Sequence, residues 1–346
     1  MAESKAPHYL RVRQDWLDRR QEPIIDPDLP IIDAHHHLWD RPGWRYLTEE
    51  LLADTGSGHR IIATLFMQCQ AMYRDHGPKA MRVIGETEFI NGVAAVGASG
   101  HYGPTRLCAA IVGHADLCLG AAVKDVLEAH IRAGNGRFRG IRHLTSWDAD
   151  ASLLNPLSAG PPRLLADPRY REGFAQLAPL GLSYDAWFFH PQIDELTELA
   201  RLFPDTSIIL NHLGGPLGAG SYAGRRDEIF GTWSASIRAL SRCPNVTVKL
   251  GGLGMRVNGF GFEEQPDPPS SDQLATAWRP YIETCIEAFG PSRCMFESNF
   301  PVDKGSYSYA TCWNAFKRLT TGASAEEKAA LFTGTAKRVY RLADLA

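Results

Sequence analysis

Short apolar runs rich in β-branched residues recur along the chain, and segments with helical periodicity separate most of them. The runs have the length and composition of buried strands, whereas the other segments repeat their apolar positions at the spacing of a helix. The predicted strands are 31–37, 61–68, 107–113, 138–143, 182–188, 207–211, 246–250 and 294–297. The predicted helices are 80–96, 121–133, 193–203, 274–289, 309–319 and 325–332.

Both ends of this pattern carry further signals. Residues 9–21 place four apolar side chains among basic ones, which predicts a short amphipathic helix packed on the outside of the domain. Near the other end, Ser324 and Glu327 have the spacing of a capping box and predict a helix start. Gly334 predicts the end of that helix, with a further short helix over 336–342.

Eight strands that alternate with helices predict an α/β fold, a (β/α)₈ TIM barrel. The alternative is a doubly wound open sheet, but no Gly-x-Gly-x-x-Gly follows the first strand. We expect one domain over 1–346, with an N-terminal extension at about 1–29. Long loops at 144–167 and 251–272 follow the fourth and seventh strands, on the catalytic face of such a barrel.

Composition narrows the class of protein. The chain has 346 residues, a formal net charge of -3 and no basic block, so no nucleic-acid footprint is visible. Its longest apolar runs are too short for a bilayer, and its N-terminus lacks an apolar signal core. Seven scattered cysteines without Cys-x-x-Cys spacing argue against a disulfide framework or a zinc knuckle. We expect a cytoplasmic protein that acts on a small molecule, away from membranes and nucleic acids.

The first predicted strand ends in three consecutive histidines. Side chains alternate along a strand, so His35 and His37 share one face while His36 points to the other. Two imidazoles on one face can converge on one ion or one substrate oxygen. The alternative is a solvated surface cluster; the preceding apolar run and the nearby Asp33 favour a site.

Polar residues recur where the other predicted strands end, which places them at one rim of the barrel. The set comprises His114 and Asp116 after the third strand, Arg142 and His143 on the fourth, His190 after the fifth, Asn211 and His212 at the sixth, Lys249 on the seventh, and Glu297, Asn299 and Asp303 at the eighth. Each has an ordinary alternative. His143 fits a satisfied core histidine, Lys249 fits a side chain that snorkels to the surface, and Asp116 fits a helix cap.

Taken together, these motifs resemble the amidohydrolase superfamily, specifically the lactonase-like branch of its metal-dependent hydrolases. The resemblance runs from about Arg11 to the C-terminus. The matching stretches are Asp33-Ala-His-His-His-Leu-Trp-Asp40, Gly140-Ile-Arg-His143, His190-Pro-Gln192, Asn211-His-Leu-Gly-Gly-Pro216 and Phe296-Glu-Ser-Asn-Phe-Pro-Val-Asp-Lys304.

The resemblance implies hydrolysis of lactones of sugar acids or of aromatic-ring-cleavage products; related branches decarboxylate aromatic acids. It also implies His35 and His37 as ligands of a divalent ion, zinc or manganese, with catalysis by the imidazoles without an ion as the alternative. His190 is a third candidate ligand, although it lies slightly beyond the usual position. His212 would meet the ion or the substrate carbonyl.

One departure concerns the water-activating residue. The family commonly ends its last strand with Gly-Ser-Asp-Trp-Pro, but this chain has Asn299 at the aspartate position. An amide cannot accept a proton as a carboxylate can. We expect Asp303 to take over as base, brought back over the barrel mouth by a turn, with Glu297 as the alternative. Asp303 also fits a helix N-cap or a surface salt bridge.

The sequence therefore supports a hydrolase that opens a lactone or related cyclic ester of a small carboxylated compound. Arg142 is the expected anchor for the substrate carboxylate, with a structural ion pair as the alternative. His143, Trp187 and Phe260 are further candidate substrate contacts. Two other hypotheses are a non-oxidative decarboxylase and a barrel that binds a ligand without catalysis. We expect a homodimer because barrels of this kind often associate.

Overall fold

The computed structural model describes residues 9–157 and 159–342, and the expectations about the N-terminus before Tyr9 lie outside them. The strands are β1 (Ile31–His36), β2 (Trp39–Arg41), β3 (Trp44–Tyr46), β4 (Ile61–Met67), β5 (Arg106–Gly113), β6 (Phe138–Ile141), β7 (Ser183–Ala186), β8 (Ile208–Leu210), β9 (Val246–Leu250) and β10 (Cys294–Phe296). All but β2 and β3 form one sheet in the order β1-β4-β5-β6-β7-β8-β9-β10.

Every neighbouring pair in this sheet is parallel. The first and last strands meet at their C-terminal ends, where the His37 N–H donates to the Phe300 carbonyl at 2.8 Å and the Asn299 N–H donates to the His35 carbonyl at 2.9 Å. These contacts close the ring beside the histidine motif. The predicted (β/α)₈ barrel is confirmed.

Helices surround the barrel. They are α1 (Gln14–Leu17), α2 (Thr48–Thr55), α3 (Ile84–Ala98), α4 (Val123–Ala133), α5 (Pro168–Phe174), α6 (Ile193–Leu202), α7 (Arg226–Leu240), α8 (Ser271–Phe289), α9 (Tyr309–Leu319), α10 (Ala325–Ala329) and α11 (Thr335–Val339). An apolar layer between strands and helices forms most of the core. No helix in the described part of the chain is long and apolar enough to cross a membrane.

The predicted helix over 9–21 is wrong in its extent, because only Gln14–Leu17 is helical. Arg13 and Arg20 donate to carbonyls of the long loop after β9, at 2.6 and 3.1 Å. Trp16 also donates its indole N–H to that loop, at 3.0 Å to the Pro266 carbonyl. The segment is therefore held by the loop rather than by a longer helix.

The predicted break at Gly334 is also wrong. Its φ of −63° and ψ of −44° are helical, and a π-helical turn over Ala330–Gly334 joins α10 to α11. The predicted start is confirmed, since Ser324 accepts from the backbone of Glu327 at 3.2 Å. A glycine inside a helix lowers its stability by about 1 kcal/mol relative to alanine, which does not end the helix when the neighbouring turns stay packed.

Candidate active site

The three histidines at the end of β1, of which His37 lies just beyond the strand, separate to two faces as predicted. The Nε2 atoms of His35 and His37 lie 3.2 Å apart. His37 Nδ1 donates to the Met67 carbonyl at 2.8 Å, so its Nε2 carries the lone pair. His36 points the other way and packs edge-on against Phe66, with ring centroids 6.2 Å apart.

Glu297 follows β10 and lies between His35 and His212. Its Oε1 accepts from the His212 backbone N–H at 3.0 Å and from His212 Nδ1 at 2.6 Å. Its Oε2 lies 2.8 Å from His35 Nδ1, without the geometry of a hydrogen bond. Both carboxylate contacts are fully buried. One side chain thus sets the orientation of two imidazoles from adjoining parts of the barrel.

Burial also sets the charge of the imidazoles. It lowers the pKa of His35, of His37 and of His212 below the usual value of 6.5, because the low-dielectric interior disfavours the charged ring. Nearby cations lower the pKa of His35 further. All three rings are therefore neutral near pH 7, and each can offer a lone pair to a proton or an ion.

Arg142 lies against the same histidines. Its Nη1 donates to His35 Nε2 at 3.1 Å, while Nε and Nη2 donate to Gln68 Oε1 at 3.3 and 3.0 Å. Nη2 also donates to the Gln68 carbonyl. The expected alternative of a structural ion pair is not seen, since Arg142 has no carboxylate among its hydrogen-bond partners in the described chain.

Lys249 lies close to His35, so the alternative that it snorkels to the surface is excluded. The side chain is fully buried, and Nζ donates to Asp185 Oδ1 at 2.8 Å. Asn211 and Tyr340 donate to the same oxygen, at 3.0 and 2.8 Å. Lys249 Nζ also lies 3.5 Å from His35 Nδ1. The Asp185 carboxylate offsets the cost of burying this cation. The sequence alone did not single out Asp185, although it stands within an otherwise uncharged strand.

The eighth-strand carboxylates occupy different positions from those expected. Asp303 is fully buried, and its Oδ2 accepts from the Gly254 N–H at 2.9 Å and from the Tyr307 hydroxyl at 2.5 Å. Its Oδ1 accepts from Asn299 Nδ2 at 2.9 Å. Asp303 is therefore enclosed by these donors and does not lie over the barrel mouth; the backbone of Asn299 is left-handed (φ 58°).

Asn299 is the side chain that reaches the pocket at this position. Its Nδ2 is held by Asp303, and its Oδ1 is buried without a hydrogen-bond partner in the described chain. Burial raises the pKa of Asp303 to about 7, and the hydrogen bonds from Tyr307, Gly254 and Asn299 oppose that rise. The Asp303 carboxyl therefore positions the Asn299 amide and does not itself reach the pocket.

Two candidate substrate contacts lie away from this cluster. His143 accepts a hydrogen bond from the Leu117 N–H at 3.2 Å and packs edge-on against His114, behind Arg142. Phe260 stacks on Phe262 at 5.4 Å, so it belongs to the packing of its own loop. Neither lines the pocket described below, and the expected core role of His143 fits its position.

His190 is separated from the other histidines as well. The strand β7 ends at Ala186, earlier than predicted, and His190 begins a 3₁₀ turn. Its Nδ1 accepts from the Leu217 N–H at 3.3 Å, and its ring packs edge-on against Tyr222. The structure does not bring it together with His35 and His37.

A cavity of about 90 Å³ opens above the cluster. The lining includes His37, Arg142, Trp187, His212 and Asn299. Trp187 packs edge-on against the His212 ring at 4.8 Å. Two more spacious clefts, of 340 and 500 Å³, contain no histidine among their described lining residues. The chemistry therefore points to the cavity above the histidines.

Comparison with known proteins places this geometry in a family. The amidohydrolase family model matches residues 32–342. The chain belongs to the amidohydrolase family. This amidohydrolase is 35% identical over 339 residues to the uncharacterised protein y4mH of Sinorhizobium fredii, covering 91% of this chain and 99% of that protein.

Two further relatives come from Burkholderia multivorans. An L-fucono-1,5-lactonase is 26% identical over 330 residues, covering 90% of this chain and 96% of the lactonase. The crystal structure of an amidohydrolase with bound zinc is similar in fold, with a TM-score of 0.69 at 23% identity. That match covers 90% of this chain and 99% of the other.

The amidohydrolase has a donor set that fits a divalent ion. Ligand atoms of His35, His212 and Glu297 all lie within 4.8 Å of one another and are buried. Two imidazoles and a carboxylate are a donor set that zinc accepts. Glu297 Oε2 has no hydrogen-bond partner in the described chain, as expected of an atom that could serve an ion. His37 adds a lone pair 3.2 Å from His35 Nε2, whereas His190 lies outside the group.

Proposed function

We propose that the protein is a hydrolase that opens a lactone or a related cyclic ester. The observation that carries this proposal is the pairing of His212 with Glu297 at 2.6 Å, on the wall of a cavity that also exposes Arg142. The L-fucono-1,5-lactonase among the relatives supports the same reaction class.

His212 is the proposed general base. Glu297 holds the proton on Nδ1, so Nε2 carries the lone pair on the opposite edge of the ring. A water in the cavity can give its proton to Nε2 as its oxygen attacks the ester carbonyl. The buried carboxylate then stabilises the imidazolium that forms, which is the role of the acidic member in an acid–histidine pair. This arrangement favours Glu297 over Asp303 as the carboxylate that replaces the missing aspartate.

Arg142 is proposed to polarise the ester carbonyl and to stabilise the oxyanion. Its guanidinium is fixed by Gln68 and His35, and it lines the cavity together with His37. Fixed donors aimed at the developing oxyanion stabilise the transition state without reorganisation. The collapse of the tetrahedral species breaks the ring C–O bond, and the His212 imidazolium returns its proton to the leaving alkoxide.

In an alternative state of the site, His35, His212 and Glu297 would hold a divalent ion with His37 beside it. The ion would supply Lewis acidity to the carbonyl, and His212 would then be a ligand and not the base. The side chains of Lys249 and Arg142 place fixed positive charge beside His35. The expected homodimer and cytoplasmic location stay proposals.

The test is a screen of lactones with a pH indicator, since each ring opening releases one proton near neutral pH. We expect turnover by the wild-type protein and a loss on the order of 10²- to 10⁴-fold in kcat for His212→Asn. His76→Asn, at an exposed histidine, is the matched control and should keep full activity. Release of CO₂ instead of a proton would support the decarboxylase hypothesis and overturn the proposal.

A further inference from the structure

A second, smaller cavity adjoins the reaction pocket. Its volume is about 40 Å³, and Arg142 and His37 line both cavities. Its polar lining includes Arg41, Gln68 and Arg142, besides Tyr9, His37 and Gln70. Within the described chain, no acidic side chain lines either cavity. The wall therefore carries two guanidinium groups without a carboxylate of the protein.

Arg41 is fixed in place at the end of β2. Its Nη2 donates to the Cys69 carbonyl at 2.6 Å, and the guanidinium lies over the Trp39 ring at 4.2 Å. Its Nη1 is buried and has no hydrogen-bond partner in the described chain. Stacking on an aromatic ring and one backbone contact orient the guanidinium, so the free nitrogen is presented in a defined direction.

Gln68 leaves a second donor without a partner. Arg142 donates to its Oε1, so the amide nitrogen must face away from that guanidinium. Gln68 Nε2 is buried and has no hydrogen-bond partner among the described residues. A buried donor without an acceptor is costly, and two of them beside one cavity suit an acceptor-rich ligand.

We infer that the cavity between Arg41, Gln68 and Arg142 is a carboxylate subsite, so the substrate is an anionic lactone. A carboxylate offers two oxygens to guanidinium and amide donors in one plane. The inference rests on the proposed ring opening, and it gives the carboxylate an anchor other than Arg142, which contacts the reaction centre.

The kinetic test compares two lactones that differ only in charge, 5-oxotetrahydrofuran-2-carboxylate and its primary carboxamide. We expect the wild-type protein to prefer the carboxylate by roughly 10- to 100-fold in kcat/KM, the worth of a hydrogen bond to a charged group. Arg41→Gln should raise KM for the carboxylate and abolish the preference. Arg41→Lys should recover part of it. Arg45→Gln, at an exposed arginine of the same hairpin, is the matched control and should behave as wild type.

A binding test separates this inference from the proposed reaction. Glutarate, which cannot be hydrolysed, is titrated calorimetrically into wild type, Arg41→Gln and Arg45→Gln. Binding that is weakened only in Arg41→Gln supports the subsite even if no lactone is opened. Equal binding to all three variants, or equal use of carboxylate and carboxamide by the wild type, overturns it.

Discussion

The substitution Glu297→Gln tests the proposed catalytic pair most sharply, because it keeps the size of the side chain and removes its charge. Glu297 Oε1 accepts two hydrogen bonds from His212, and Oε2 faces His35 Nδ1 at 2.8 Å. A glutamine can place its oxygen toward only one imidazole and must turn an N–H₂ group toward the other. The imidazole that faces the glutamine N–H₂ group then has a donor opposite its own N–H. The imidazole that faces the glutamine oxygen loses the carboxylate charge that stabilises its protonated form.

Loss of the acidic partner from such a pair lowers kcat by about 10³- to 10⁴-fold, which corresponds to roughly 4 to 5.5 kcal/mol of transition-state stabilisation. The assay is steady-state hydrolysis of the best lactone from the screen, with thermal unfolding measured in parallel. Asp54→Asn is the matched control, since Asp54 is a buried carboxylate bonded to Tyr46 and Lys304, outside the cavity. If folded Glu297→Gln keeps kcat within tenfold of wild type, the proposed pair does not perform the chemistry.

Three further outcomes are expected. Asp303→Asn should lower kcat by less than about tenfold, because Asp303 contacts Asn299 and not the cavity; a 10²- to 10⁴-fold loss would make Asp303 the base. Burial lowers the pKa of His130 to about 4, so its neutral form contributes stability that is fully present above pH 6.5. About 3 kcal/mol of the free energy of unfolding is lost as the pH falls from 6.5 toward 4. Denaturant unfolding of His130→Gln should show a correspondingly smaller loss of stability in acid, and an unchanged dependence on pH would refute this. Added Zn²⁺ should raise the unfolding temperature of wild type and of Asp54→Asn but not of Glu297→Gln; a shift shared by all three would place the ion elsewhere.

The barrel itself was predictable because its strands are apolar runs and the separating helices have clear periodicity. The predicted strand 246–250 coincides with β9, whereas β7 is shorter than the apolar run that predicted it. Apolar residues after a barrel strand continue into the rim loops, so composition alone does not mark where hydrogen bonding to the neighbour ends. The hairpin β2–β3 was missed although Pro42 and Gly43 are typical turn residues.

The site was predictable in its residue types but not in its connections. Side-chain parity placed His35 and His37 on one face. That Glu297 meets His212 while Asp303 meets Asn299 is a tertiary arrangement that no local pattern signals. Arg41 gave no signal either, because its role arises from the packing of a hairpin against the loop after β4. Such contacts join residues that are far apart in sequence, so spacing along the chain does not predict them.

The most direct test of the central claim is to follow the oxygen atom that enters the product. The wild-type protein is incubated with its best lactone in water enriched in heavy oxygen, and the product is analysed by mass spectrometry after a single turnover. The account predicts one heavy oxygen in the newly formed carboxylate and no CO₂, with product formation on the order of 10²- to 10⁴-fold slower in His212→Asn. Release of CO₂, or a product without the label, would contradict it.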